Sequence, residues 1–152
     1  MEDFKNILYP IALTEKSPKL ASYVATMAKK FDAAVHLLHV LRGFEWFVDT
    51  YVEESPTPDF KRIASDFEGQ VLQQAQQKLG SFQKKYLKDV EIAKASIVSG
   101  THYKRILDYV NDEGIDLIIM GSGGSLQKVM FGSVASKVSR LANIPVMLIK
   151  GS

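Results

Sequence analysis

The stretch from Asp116 to Gly124, Asp-Leu-Ile-Ile-Met-Gly-Ser-Gly-Gly, decides the fold. Its first part, Asp116 to Met120, holds an uninterrupted apolar run, which is typical of a strand covered on both faces of a parallel sheet. Its second part is rich in glycine and serine and leads toward a helical pattern over Ser133 to Ala142. A buried strand, a glycine-rich loop and a helix in this order indicate an α/β domain.

Four more strands and three more helices are predicted on either side of this stretch. The strands are Asn6 to Ile11, Val35 to Leu41, Val90 to Val98 and Ile144 to Ile149. The helices begin at Ser17-Pro18, span Asp59 to Tyr86 and span Thr101 to Asp112. Because strand-helix-strand crossovers are right-handed, these elements predict a doubly wound, open parallel five-stranded sheet with helices on both faces. We expect residues 1–152 to form one domain.

The composition excludes several classes of function. The chain has 152 residues, 19 Lys and Arg against 17 Asp and Glu, and no Cys. Cysteine-based zinc sites, iron–sulfur clusters and thiol catalysis are therefore excluded. The near balance of charge argues against a nucleic-acid binder, and no apolar run approaches the ~20 residues of a membrane span. With no apolar leader at its start, we expect a cytoplasmic protein that binds neither nucleic acid nor membrane.

The loop from Gly121 to Ser133 is the segment best suited to hold a ligand. In a doubly wound sheet, ligands lie beyond the carboxyl ends of the strands where the winding reverses, and the order 3-2-1-4-5 puts that point between strands one and four. Glycines let backbone N–H groups approach an anion, and the start of the next helix adds its positive dipole end. Ser122 and Ser125 could add hydroxyl donors, and Lys128 a positive charge. In the alternative interpretation, which stays open, the glycines only turn the chain and Ser133 caps a helix.

The chain also resembles a single-domain member of the universal stress protein family over essentially its whole length. The resembling segments are Asn6-Ile7-Leu8-Tyr9-Pro10 with Ser17, His36-Leu37-Leu38-His39-Val40, Gly100, Asp116 to Ser122, Gly132-Ser133-Val134 and Ile144 to Ile149. The resemblance implies the strand order 3-2-1-4-5 and a homodimer through the last strand, Pro145 to Ile149. It also implies that the protein binds ATP or another adenine nucleotide without being a conventional enzyme.

The resemblance further implies a set of binding residues. These are Pro10, Ala12 and Leu41 near the base and ribose, and Met120, Gly121, Ser122, Gly124, Gly132, Ser133 and Val134 near the phosphates. Two departures weaken this expectation. Only seven residues separate Gly124 from Gly132, two fewer than in the nucleotide-binding branch, and Ala12 stands where those members have an Asp. Losing a carboxylate partner costs about 1–3 kcal/mol, so we expect adenosine recognition to be weakened more than phosphate recognition.

The aromatic segment and the three histidines are interpreted mainly as structural residues. The aromatic segment Phe44 to Tyr51 could stack on a base, but it could equally pack on the second helix or in a dimer contact. His36 and His39 are three apart in a strand, so they lie on opposite faces, cannot share a metal, and are interpreted as packed or strand-end side chains. His102 is interpreted as a surface residue, with contact to a ligand at the carboxyl edge of the sheet as the alternative. No metal site is predicted.

The leading hypothesis is a dimeric stress-response sensor or regulator that binds ATP, AMP or a related phosphate ligand. The alternative is a non-nucleotide-binding dimeric adaptor with a degenerate phosphate loop. The sequence has no Gly-x-Ser-x-Gly elbow, no P-loop and no dinucleotide fingerprint after the first strand. We therefore predict no catalytic residues and no enzyme, leaving weak ATPase activity open.

Overall fold

In a computed structural model, the protein is described over residues 3–12, 18–41, 58–123 and 132–151, without the side chains at 58–61, 63 and 64. The strands are β1 (Asn6–Pro10), β2 (Ala34–Leu41), β3 (Ile92–Ser99), β4 (Leu117–Gly121) and β5 (Val146–Ile149). The helices are α1 (Lys19–Phe31), α2 (Pro58–Tyr86), α3 (His102–Glu113) and α4 (Ser133–Leu141). All strand pairs are parallel and the order is β3-β2-β1-β4-β5, which confirms the predicted fold.

The two faces of the sheet bury separate apolar clusters, because side chains alternate along each strand. Ile7 and Leu37 pack with α1 and α2 on one face. Leu8 and Leu38 pack with α3 and α4 on the other. Helices therefore cover both faces, and the central strands read as apolar runs for that reason.

The long helix α2 is buried over its second half. Ala75, Leu79 and Phe82 are buried, and the last two pack in the core cluster on one face of the sheet, whereas Phe67 is 54% exposed. With 29 residues the helix is ~43 Å long, and the eight-residue strand β3 is only ~26 Å, so the helix extends past the sheet. Among its described side chains, the buried ones therefore lie in the C-terminal half of the helix.

Several predicted element ends are wrong by one or two residues. The first strand stops at Pro10 instead of Ile11, the third runs from Ile92 to Ser99, and the last begins at Val146 instead of Ile144. Helix α3 continues one residue past Asp112, because Gly114 next to its end adopts φ +64° and its N–H donates to the Val110 carbonyl. None of the described helices combines the length and the apolar character needed to cross a membrane.

Candidate functional site

The candidate site lies at the carboxyl ends of β1, β2 and β4. Pro10 is the last residue of β1, Leu41 the last of β2 and Gly121 the last of β4. Because β1 pairs with both neighbours, these three ends lie at the same edge of the sheet, and β2 continues past Leu38, the partner of Pro10, to Leu41. All three residues are half-buried, and Met120 below them is buried.

The other predicted binding residues that the structure describes also lie near this edge. Ala12 is exposed just beyond β1, and Ser122 is half-buried directly after β4. At the start of α4, Ser133 is exposed and Val134 is half-buried. Gly124, Ser125, Lys128 and the aromatic segment Phe44 to Tyr51 lie outside the described residues.

The glycine-rich loop has a closed neck. The N–H of Gly132 donates to the Ser122 carbonyl at 2.8 Å, and the N–H of Ser122 donates to the Ile149 carbonyl at 3.0 Å. Gly123 adopts φ +68°, and a Cβ placed there would lie 3.0 Å from the Cα of Gly132. Glycine is therefore required at this position both by its backbone conformation and by the close approach of the two sides of the neck.

The start of α4 is uncapped by any side chain. Gly132 is the N-cap residue, no side-chain cap hydrogen bond forms, and the first turn holds no acidic residue. The interpretation of Ser133 as a helix cap is therefore wrong, because Ser133 is already the first helical residue. Since the first N–H groups of a helix have no intrahelical acceptor, those of Ser133, Val134 and Ala135 can donate to an anion.

Two more helices start at this edge with the same character. Neither α1 nor α3 has an acidic residue in its first turn or a side-chain cap. Instead, the first residue of α1 is Lys19, whose ammonium donates to the Lys150 carbonyl at 2.8 Å. Ser122 bonds to Ile149, the residue before Lys150, so this positive charge lies near the neck of the loop. Sequence reasoning missed Lys19, although a cation where helices usually carry an acid is a visible signal.

His39 is a half-buried residue near the end of β2, and its ring contacts the chain just after β1. Its Nδ1 is 2.7 Å from the Ile11 carbonyl oxygen. Because a carbonyl only accepts, Nδ1 must carry the proton of this bond. The described residues include no group of three or more His, Asp or Glu side chains able to hold a metal ion.

A second polar cluster lies at the opposite, amino end of the strands. Buried His36 has Nδ1 2.8 Å from the Tyr109 hydroxyl and Nε2 3.1 Å from the Asn6 side-chain oxygen. The Asp116 carboxylate accepts the backbone N–H groups of Lys5 and Asn6, both at 2.8 Å. Burial lowers the pKa of His36 and raises that of Tyr109. With both ring nitrogens used inside the fold, His36 is a packed histidine, as the sequence predicted.

Comparison with known proteins gives one consistent answer. The profile described as "Universal stress protein family" matches residues 3–150. Universal stress protein MJ0577 of Methanocaldococcus jannaschii is 30% identical, over 97% of this chain and 95% of its own length. Universal stress protein YxiE of Bacillus subtilis is 28% identical, over 97% of this chain and 99% of its own length.

Solved structures agree in fold. The structure of MJ0577 superposes with a TM-score of 0.78 at 27% identity, covering 99% of both chains. A universal stress protein from Archaeoglobus fulgidus, solved in complex with dAMP, gives a TM-score of 0.64 at 18% identity, covering 98% of this chain and 100% of that one. A universal stress protein solved in complex with cAMP gives 0.65 at 11% identity, covering 99% of this chain and 100% of that one.

Proposed function

Because the chain belongs to the universal stress protein family, we propose that it is a stress-response protein that binds an adenine nucleotide, AMP or ATP, at the carboxyl ends of β1 and β4. The proposal places the phosphates against the glycine neck and the start of α4. It places the nucleoside toward Pro10, Ala12 and Leu41.

The observation that carries this proposal is the closed neck at Gly123 and Gly132, which leads directly into an uncapped helix N-terminus. A glycine-containing neck held by hydrogen bonds, followed by N–H groups without intrahelical acceptors, is a suitable frame for a phosphate. The ammonium of Lys19 near the neck adds a favourable field for an anion. Relatives of the same fold solved with dAMP and cAMP support the choice of an adenine nucleotide.

The nucleoside end of this site has fewer polar groups to bond a ligand. Ala12 is exposed and has no polar side-chain atom to bond a ribose hydroxyl. We therefore expect phosphate contacts to supply most of the affinity, so that adenosine binds much more weakly than AMP or ATP. Without an assigned nucleophile or base, the proposed role is binding and not catalysis.

The test is to identify any small molecule that copurifies with the protein by mass spectrometry, and to titrate ATP, AMP and adenosine by calorimetry. We expect saturable heats for ATP and AMP and little heat for adenosine. The absence of both a copurified nucleotide and any heat at millimolar ATP would defeat the proposal.

A second function, a dimeric adaptor, is favoured by the edge strand β5. It pairs with β4 on one side and ends the sheet on the other. Its Val146, Met147 and Leu148 are half-buried apolar residues, and an apolar edge strand is suited to pair with a second copy of the chain. We propose a homodimer through Pro145 to Ile149 in either case. Sedimentation tests the dimer, and a monomer at all concentrations would contradict it. Calorimetry separates the two functions, because the adaptor forms the dimer but gives no heat with ATP.

A further inference from the structure

His39 has one ring nitrogen fixed inside the protein. β1 ends at Pro10, and the N–H of Ile11 still donates to the Leu38 carbonyl of β2. The Ile11 carbonyl is then bonded by the His39 side chain at 2.7 Å. The imidazole therefore holds the backbone at the point where the chain leaves the sheet toward Ala12.

The other ring nitrogen of His39 is available. With the proton on Nδ1, the neutral ring has a lone pair on Nε2. Within the described part of the chain, Nε2 has no hydrogen-bond partner. No buried side-chain nitrogen or oxygen among the described residues lacks a partner, so the Nε2 of this half-buried ring is reached by solvent. His36 differs because both of its nitrogens are bonded within the fold.

The position and chemistry of this acceptor complement the rest of the site. The backbone groups at the start of α4 and the Lys19 ammonium are donors, which suit phosphate oxygens but not the hydroxyl and amino donors of a nucleoside. His39 lies on β2 two residues before Leu41 and is bonded to the residue before Ala12. It is therefore on the side of the site where the proposed function places the nucleoside.

We propose that His39 orients the nucleoside of the bound nucleotide: Nδ1 stays bonded to the Ile11 carbonyl while Nε2 accepts a hydrogen bond from a ribose hydroxyl or from the base amino group. This inference rests on the proposed function. It assigns the recognition of the nucleoside to an imidazole on β2, whereas Ala12 has no polar side chain for that task.

Two variants separate the two nitrogens. In His39→Asn the amide NH₂ takes the place of Nδ1–H, so the anchor to Ile11 is kept and the outer acceptor is removed. In His39→Leu both are lost. Each protein is titrated by calorimetry with AMP and three analogues. 2′-Deoxy-AMP and 3′-deoxy-AMP each lack one ribose hydroxyl, and inosine monophosphate lacks the base amino group. Thermal unfolding checks that each variant is folded.

We expect the wild type to bind one of the three analogues about three- to tenfold more weakly than AMP, the usual effect of one neutral hydrogen bond. In His39→Asn that preference disappears, because the outer acceptor is gone. Equal preferences in the wild type and His39→Asn would overturn the role of His39 and leave the proposed function intact. A uniform loss toward all four ligands would also overturn it, since it indicates a purely structural role. If the wild type binds none of the nucleotides, the proposed function fails as well.

Discussion

The two ends of the sheet differ in how their polar groups are used. At the amino end, His36, Tyr109, Asn6 and Asp116 bond to one another or to nearby backbone groups. At the carboxyl end, a glycine adopts a positive φ, the start of α4 lacks a side-chain cap, and the outer nitrogen of His39 has no partner among the described residues. This fold therefore places polar groups that are bonded to one another at the amino end of the sheet, where they stabilise it, and leaves polar groups without such partners among the described residues at the carboxyl end.

The largest effect is expected for Gly123→Val at the loop neck. A β-branched residue at φ +68° is strained, and its Cβ would press on the Cα of Gly132. We expect nucleotide affinity, measured by calorimetry, to fall about tenfold or more, and the free energy of unfolding to fall by ~1–3 kcal/mol.

The matched control is Gly114→Val at the opposite end. Gly114 has φ +64°, and no atom of a described neighbour lies within 4 Å of the place that a Cβ would take, so this variant tests the backbone strain alone. It should lose stability without losing affinity. Unchanged nucleotide affinity in Gly123→Val would show that the neck is not part of the binding site.

Unlike Gly123→Val, Tyr109→Phe should lower the free energy of unfolding without lowering nucleotide affinity. It removes the hydroxyl beside His36 Nδ1 and leaves a buried ring nitrogen unpaired, which costs about 1–3 kcal/mol. Urea unfolding measures the loss. Tyr103→Phe, on the same helix and half-buried, should change stability by no more than ~0.5 kcal/mol. Equal losses in the two variants would contradict a special role for the His36 cluster.

The pH dependence of stability should also trace to His36. Burial lowers its pKa, and Lys94 lowers it further while Glu113 raises it. The unfolded chain then binds the proton more readily than the folded protein, so this histidine leaves stability unchanged above about pH 6.5 and reduces it as the pH falls below that value toward the lowered pKa.

The test is urea unfolding of the wild type and His36→Gln between pH 5 and 8. The difference in the free energy of unfolding, wild type minus variant, should decrease toward acid, with a slope of no more than about 1.4 kcal/mol per pH unit. Parallel curves for the two proteins would exclude His36 as the source of the acid sensitivity.

The smallest effect is expected for the ion pair between Lys94 and Glu113. The two groups lie 2.7 Å apart on the surface, and this contact raises the pKa of Lys94 and lowers that of Glu113. Because water and salt screen exposed pairs, Lys94→Met should shift the urea midpoint barely measurably, and less in high salt. A loss as large as that of Tyr109→Phe would mean that the pair belongs to the buried cluster.

The fold could be predicted from the sequence because its signals are local. β2 and β4 are apolar runs of a buried parallel strand, and α1 and α2 show helical spacing. The ends of the helices and strands were predicted less accurately, because they depend on hydrogen-bond partners far along the chain. In α3, for example, Tyr109 is buried, and its hydroxyl bonds to His36 on a strand 73 positions away.

The candidate site was predictable only in its loop. Glycine and serine composition after β4 indicated an anion site, and the structure adds the required glycine at position 123. The sequence shows that a lysine begins α1, but it does not show that the Lys19 ammonium lies near the neck or that His39 bonds to Ile11. The partner of Lys19 lies 131 positions away and that of His39 lies 28 positions away, so each becomes visible only when the strands are paired.

The hydrogen bond from the Ser122 N–H to the Ile149 carbonyl connects two regions of the protein. Ser122 lies in the neck of the glycine-rich loop, and Ile149 lies in the edge strand β5, whose open edge suits a second chain. A nucleotide that tightens the neck and a copy that tightens β5 would act on the same hydrogen bond. By thermodynamic linkage, if nucleotide binding strengthens dimerisation by some factor, dimerisation strengthens nucleotide binding by the same factor.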